Sequence, residues 1–192
     1  MKQDTKRLLL EKGLEILTRK GFNNTGIQEV LSAVGVPKGS FYHYFKSKED
    51  FGLQVVDYYA QTSIDRMDRF MKDEAFPPLE RLRRFFENAV KEMKENEFCG
   101  GCFIGNMSQE MGDLSESFEK KLERKWQASR SCIAHCLIAA RQAGDLKLTC
   151  DADDLADFLL NAWQGALMRM KVTKSADPLE LYLQIVFVDL LK

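Results

Sequence analysis

Apolar residues recur at three- and four-residue spacing along almost the whole chain, and no segment alternates with period two. The pattern therefore predicts helices from end to end. Leu10, Leu14 and Leu17 put a stripe on a first helix that stops near Gly21. Ile27, Val30, Leu31 and Val34 fall at i, i+3, i+4 and i+7 and predict a short second helix, closed by Gly35. Thr25 and Gln28 have the spacing of a capping box ahead of it. Pro37 stands where a first-turn proline is tolerated and opens a third helix to about Tyr44. Ser47 with Asp50 forms another capping box, heading a long fourth helix through Phe51, Val55 and Tyr58 to about Met71.

Pro77 and Pro78 break the chain, and a fifth helix is expected over about 79–96. Gly100-Gly101 separates it from a sixth over 102–111. Asp113 with Glu116 is expected to cap a seventh that runs to Gly144, and Thr149 or Asp151 an eighth that ends near Val172. Asp177, Pro178 and Glu180 signal the start of a ninth. It carries Leu183, Ile185, Val186, Phe187, Val188, Leu190 and Leu191 around most of its girth, as in a helix packed both on its own core and on another subunit. The expected fold is all-α: an N-terminal three-helix head containing a helix-turn-helix, on a larger helical ligand-binding and dimerisation body, about nine helices in total. The expected boundaries are 1–47 for the head and 48–192 for the body.

Composition narrows the class. A hydrophobic fraction of 45% and a charged fraction of 30% over 192 residues are those of an ordinary globular protein with material for a real core. The longest apolar runs last only a few residues, which excludes a membrane span, and Glu11 and Lys12 interrupt the N-terminal run that a signal peptide would need. A cytoplasmic protein is expected. Net charge hides an asymmetry: residues 1–50 hold nine Lys and Arg against six Asp and Glu, whereas the remainder holds 19 against 23. A slightly basic head on a mildly acidic body suggests that only the head meets something anionic.

One stretch demands an explanation. Between Glu29 and Glu49 no carboxylate occurs, and Phe41, Tyr42, His43, Tyr44 and Phe45 stand consecutively in the middle. The second helix, the turn Gly35-Val36-Pro37 and the third helix have the dimensions of a helix-turn-helix, whose second helix lies in the DNA major groove. Phe41 and Phe45 share a face and can pack inward, which leaves Tyr42, His43 and Tyr44 to offer donors to phosphate oxygens. Gly39 lets the backbone approach, Ser40 is a small hydrogen-bonding group, and Lys38 reaches base edges or phosphate. Lys46 and Lys48 extend the positive rim, and the start of the fourth helix adds its dipole.

The segment TGIQEVLSAVGVPKGSFYHYFKSKEDF, from Thr25 to Phe51, resembles the DNA-binding domain of the tetracycline-repressor (TetR) family of bacterial transcription regulators. The resemblance is dense over residues 8–55 and includes Gly21-Phe22, the G-V-x-x-G-S-F-Y-x-Y-F of 35–45 and the S-K-E of 47–49. It implies a homodimer bound to a palindromic double-stranded operator and responsive to a small-molecule effector. Carried over by position, Thr25, Gln28, Tyr42, Tyr44 and Lys48 match phosphate-contacting places, and Lys38, Gly39, Ser40 and His43 match places facing bases. The arm ahead of the first helix is very short, so the minor-groove contacts of longer arms are not expected.

The body resembles one subgroup of that family in the stretch CGGCFIGNMSQEMGDLSESFEKKL, from Cys99 to Leu122: the repressors of N-ethylmaleimide reductase and of acrylate utilisation. That likeness implies Cys102 as a sensor of oxidants or electrophiles. A helix N-terminus favours a thiolate and so raises reactivity there, and Cys99 stands close enough in sequence to resolve an oxidised Cys102. Non-covalent ligand binding and simple packing remain alternatives for these cysteines. An organic ligand would draw on Phe86, Met93, Phe103, Asn106, Met107, Trp126, Trp163 and Met168, residues that ordinary core packing explains equally well. Cys99, Cys102, Cys132, His135 and Cys136 include zinc-like spacings, but Cys132 and Cys136 lie one helical turn apart where packing accounts for both, so no metal and no cofactor are expected. Two histidines, no G-x-S-x-G and no phosphate-cradling glycine loop argue against an enzyme. The alternative class is a helical small-molecule or metal-binding protein without a DNA role.

Overall fold

The computed structural model describes residues 2–147 and 149–191, with side chains from Thr5 onward. Met1, all that precedes α1, lies outside the described residues, and the expectation about the arm lies there with it. Nine α-helices occur among them, and no strand: α1 (Lys2–Lys20), α2 (Ile27–Val34), α3 (Lys38–Tyr44), α4 (Lys48–Met71), α5 (Pro78–Glu95), α6 (Phe103–Met111), α7 (Glu116–Gln142), α8 (Ala152–Thr173) and α9 (Asp177–Gln184). A π-helical turn, Ile185–Leu190, continues α9. The predicted ninth helix thus changes its winding after Gln184. No helix among the described residues is long and apolar enough to cross a membrane.

The chain forms two compact units. The first joins residues 1–62 to 102–125, so α6 and the start of α7 pack with the first three helices. Its core is aromatic. Phe41 and Phe45 are 0% and 1% exposed, and each packs on Phe51 of α4 with ring centroids 5.4 and 5.0 Å away. Phe22 meets Phe118 edge-on at 5.2 Å. On α1 the buried stripe is Leu9, Gly13 and Leu17, whereas Leu10 and Leu14 are only partly covered. The helix is rotated by one residue from the expected stripe because Gly13 permits the closest approach: a Cβ there would stand 2.3 Å from the Phe51 ring. Gly52 is the second such contact, where a Cβ would stand 2.5 Å from Phe22 and 2.8 Å from Phe118.

Caps follow local chemistry with two exceptions. Ser47 Oγ accepts the Asp50 N–H at 3.0 Å, and the Asp50 carboxylate reaches back to the Lys46 N–H at 2.8 Å, which holds that carboxyl below its usual range. Asp151 caps α8 by accepting the N–H groups of Asp153 and Asp154. The Thr25–Gln28 box does not form: Gly26 is the α2 cap residue, Thr25 donates to the Gly21 carbonyl at 2.7 Å, and Gln28 reaches Ser32 instead. At α7 the cap is Ser115, not Asp113, and its hydroxyl accepts from the Phe118 N–H while donating to Glu49 at 2.6 Å.

The second unit comprises residues 63–101 and 126–192. Phe86 of α5, Trp163 of α8 and Tyr182 of α9 pack mutually, with centroids 5.0 to 5.1 Å apart. The Tyr182 hydroxyl donates to the Leu159 carbonyl, which satisfies that buried oxygen.

The close approach at Gly52 gives a stability test. Gly52→Ala improves helix propensity but forces two aromatic rings to move, so urea unfolding should show a net loss of about 1–3 kcal/mol. Unchanged stability would mean that the rings have room to yield.

Candidate nucleic-acid interface

Two short helices, α2 and α3, carry the candidate interface. α2 ends on Gly35 in the left-handed conformation at φ 71°, the Val36 N–H closes back on the Leu31 carbonyl, and Pro37 redirects the chain into α3. Burial of Phe41 and Phe45 fixes the rotation of α3. Tyr42 is consequently 55% exposed, Lys38, Gly39, His43 and Lys46 face solvent, and Ser40 and Tyr44 are half-buried. A Cβ on Gly39 would meet nothing, so this surface is flat and open. Lys38, Gly39, Tyr42 and His43 thus lie on the exposed side of α3, a helix without a carboxylate.

Two of the expected contacts stand differently. Thr25 is only 2% exposed with its hydroxyl committed to Gly21, because it serves as the local clasp between α1 and α2. Its side chain is therefore not offered to a phosphate. Lys48 lies over the Phe22 ring with Nζ 4.6 Å from the centroid and 3.4 Å from the Asn23 carbonyl. Burial lowers its pKa, and the nearby Glu110 carboxylate pulls the other way. Gln28 is exposed.

The largest feature that sequence reasoning missed is Glu110. From α6 its two carboxylate oxygens accept the consecutive backbone N–H groups of Phe22 and Asn23 at 2.7 and 2.6 Å. Gly21 makes room for it at φ 84°, where a Cβ would stand 2.7 Å from the carboxylate. A second strap runs beside it, from Asn106 Nδ2 to the Thr18 carbonyl at 3.3 Å. α6 therefore grips the end of α1 and the turn that leads into α2. One signal was present in the sequence: Glu110 is the only charged residue between Glu97 and Asp113.

Cys102 begins α6. Its sulfur accepts the Gly105 N–H at 3.5 Å and lies 3.9 Å from the Tyr59 hydroxyl, whose ring also packs on Phe103. Cys99 is exposed and turns elsewhere, toward the Glu97 carbonyl and Lys174 Nζ, each at 3.6 Å. The segment between α5 and α6 is wound the unusual way, with positive φ at Glu97, Phe98, Gly100 and Gly101. Cys150 is exposed, whereas the other two thiols are partly or fully covered. Cys136 donates to the Pro78 carbonyl at 3.0 Å and burial pushes it up to about 11, while burial and Asp68 raise Cys132. Both stay protonated at neutral pH and are poor nucleophiles. No group of three or more His, Cys, Asp or Glu among the described residues could hold a metal ion.

The expected ligand-pocket residues divide between the two units. Phe103, Asn106 and Met107 belong to the first, and Phe86, Met93, Trp126, Trp163 and Met168 to the second. Asn106 is spent on α1, Phe86 and Trp163 pack directly on each other, and Met168 is 54% exposed. The second unit instead contains a cavity of about 430 Å³ among α4, α5 and α7, lined by Met71, Lys72, Pro78, Cys132, Cys136 and Ala139 among others.

Two short helices joined by a tight turn, with a carboxylate-free second helix, on an all-helical scaffold are the architecture of a helix-turn-helix DNA-binding regulator. Family models agree: that for bacterial regulatory proteins of the tetR family matches residues 9–55, and that for the tetracyclin repressor-like C-terminal domain matches residues 78–186. The chain belongs to the TetR family of transcriptional regulators. It is 39% identical to the transcriptional regulator AcuR of Cereibacter sphaeroides, over 89% of this chain and 78% of that one. It is 35% identical to the transcriptional repressor DhaR of Mycobacterium sp. (strain GP1), over 95% and 90%. The crystal structure of Escherichia coli NemR in its reduced form superposes with a TM-score of 0.86 at 28% identity, covering 95% of each chain.

Removing the Glu110 carboxylate tests the grip of α6. In Glu110→Ala the Phe22 and Asn23 amides should exchange hydrogen at least about tenfold faster, because local opening no longer breaks two charge-assisted bonds. Unaltered protection at both amides would mean that the turn holds without α6.

Proposed function

We propose that two copies of this chain hold a palindromic operator as a repressor, one α3 in each of two successive major grooves about 34 Å apart. The observation that carries this reading is the rotation of α3, with Phe41 and Phe45 inside and Lys38, Gly39, Tyr42 and His43 outside. Residues 1–47 serve as the head and 48–192 as the body. Tyr42, Tyr44, Gln28 and Lys48 contact phosphates, and Lys38, Gly39, Ser40 and His43 face bases. Thr25 takes part only through the turn that it clasps.

Pairing is supported by an apolar strip on the last helices. Phe158, Met168 and Val172 of α8 and Leu181, Ile185 and Val188 along α9 and its π turn are exposed, Val172 by 76%. Gly165 lies in the same row, where a Cβ would meet nothing. Helices that leave such side chains in water gain from burying them against a second copy.

Release from DNA is assigned to a thiol-reactive electrophile or oxidant acting at Cys102. Three facts support this: the position of the sulfur at the first turn of α6, the left-handed segment before it, and the likeness to NemR, solved in a reduced form. α6 also carries Glu110 and Asn106, so a shift at Cys102 would act on the helix that grips α1. A second reading, reversible binding of an effector, is favoured by the 430 Å³ cavity, whose two thiols are too weakly acidic for covalent sensing.

Two measurements test these roles. On an operator selected from random DNA, Tyr42→Ala should weaken binding to operator and non-specific DNA alike, by about tenfold. Lys38→Ala and His43→Ala should also change the preferred base, worth about 1–3 kcal/mol of discrimination. Operator affinity unchanged in all three variants would refute the assignment of α3. For release, anisotropy titrations with N-ethylmaleimide should show loss of operator binding in the wild type and none in Cys102→Ser. Equal behaviour of the two proteins would move sensing to the cavity.

A further inference from the structure

The end of α4, the link after it and the middle of α5 enclose a half-open cleft of about 290 Å³ that the DNA-binding reading does not use. Four arginines wall it, Arg66, Arg69, Arg81 and Arg84, against two carboxylates, Asp73 and Glu92. Both carboxylates are engaged. Glu92 accepts from Arg66 Nη1 at 2.5 Å and from Asn88 at 2.8 Å, and Asp73 accepts the Ala75 N–H of its own link.

The guanidinium donors are only partly spent. Arg81 is structural, giving Nε to the Phe76 carbonyl at 2.7 Å and Nη1 to the Met71 carbonyl at 3.2 Å. Arg66 Nε, by contrast, is buried without any acceptor. A buried donor left in that state costs about 1–3 kcal/mol, which a bound acceptor would recover. Arg84 stacks on Phe76 with its guanidinium carbon 3.6 Å from the ring centroid. Stacking uses the face of the guanidinium and leaves its N–H edge open to an acceptor in the plane. Arg69 is exposed and forms no ion pair among the described residues. Phe70 and Phe76 supply apolar wall beside these charges.

We propose that this cleft binds a small organic acid, its carboxylate on the open edges of Arg66, Arg69 and Arg84 and its apolar end against Phe70 and Phe76. An inorganic anion would satisfy the charges and leave the rings unused; a neutral aromatic would do the reverse. The volume lies at the lower limit of ligand pockets, about 300 Å³, which suits an acid the size of benzoate. The site lies wholly within the second unit and stands whether or not Cys102 senses electrophiles.

The test uses full-length protein and 4-fluorobenzoate, followed by fluorine NMR and calorimetry. Saturable binding is expected at one site per chain. Affinity should fall at least about tenfold for the neutral 4-fluorobenzamide and for the Arg69→Gln/Arg84→Gln double variant, because charge-assisted bidentate contacts are lost. That variant leaves the Arg66–Glu92 pair and Arg81 in place. If it melts early, the exposed Arg69→Gln alone should weaken binding in the same direction. Cys132→Ser, in the other cavity, should bind the acid as the wild type does. The proposal is overturned by acid and amide binding alike, by undiminished binding in the arginine variants, or by no binding at millimolar acid. Inorganic phosphate binding as tightly as the acid would also overturn it, reducing the cleft to a charged patch.

Discussion

Phe41 and Phe45, packed on Phe51, hold α3 against the first turns of α4 and thereby decide which of its side chains reach solvent. A seven-residue helix has almost no stability of its own, since its few hydrogen bonds barely offset nucleation. The free energy that keeps α3 helical comes from burying these rings; truncating either would cost about 3–5 kcal/mol. The same burial leaves Tyr42, His43 and Lys38 pointing away from the core. Core formation and presentation of the proposed recognition surface are therefore one event, in which the five consecutive aromatic positions divide between inside and outside.

α6 adds a constraint of a different kind. Glu110 supplies a carboxylate to two backbone N–H groups that no helix satisfies, and Asn106 supplies a donor to the carbonyl of Thr18 near the end of α1. Polar bonds of this sort are directional, so they fix the angle of the turn where apolar packing would tolerate sliding. Cys102 stands at the opposite end of the same nine-residue helix. The same helix thus carries a thiol at its first turn and a turn-binding carboxylate near its last.

In the second unit, burial sorts groups that look alike in sequence. Cys132 and Cys136 are held protonated by their surroundings, whereas Cys99 faces solvent and a lysine. Trp163, Phe86 and Tyr182 consume one another's surfaces and leave little for a ligand. Polar and cationic side chains instead gather at the cleft between α4 and α5, where Arg66 retains an unanswered donor.

Periodicity, together with proline, glycine and capping signals, determined the number of helices, most of their ends and the inward face of α3, because these depend on neighbours within one or two turns. The caps at Ser47 and Asp151 were legible for the same reason. Capping failed at Thr25 and shifted at α7 where a competing local acceptor or a neighbouring serine was better placed. The rotation of α1 was set by Gly13 against Phe51, a contact that spacing along one helix cannot reveal. Glu110 escaped notice because its partners lie almost ninety residues away. The division of the expected pocket residues between two units, and the gathering of four arginines around one cleft, were likewise decided only in the tertiary structure. Sequence encodes which residues can be buried or charged; only the packed chain determines which of them meet.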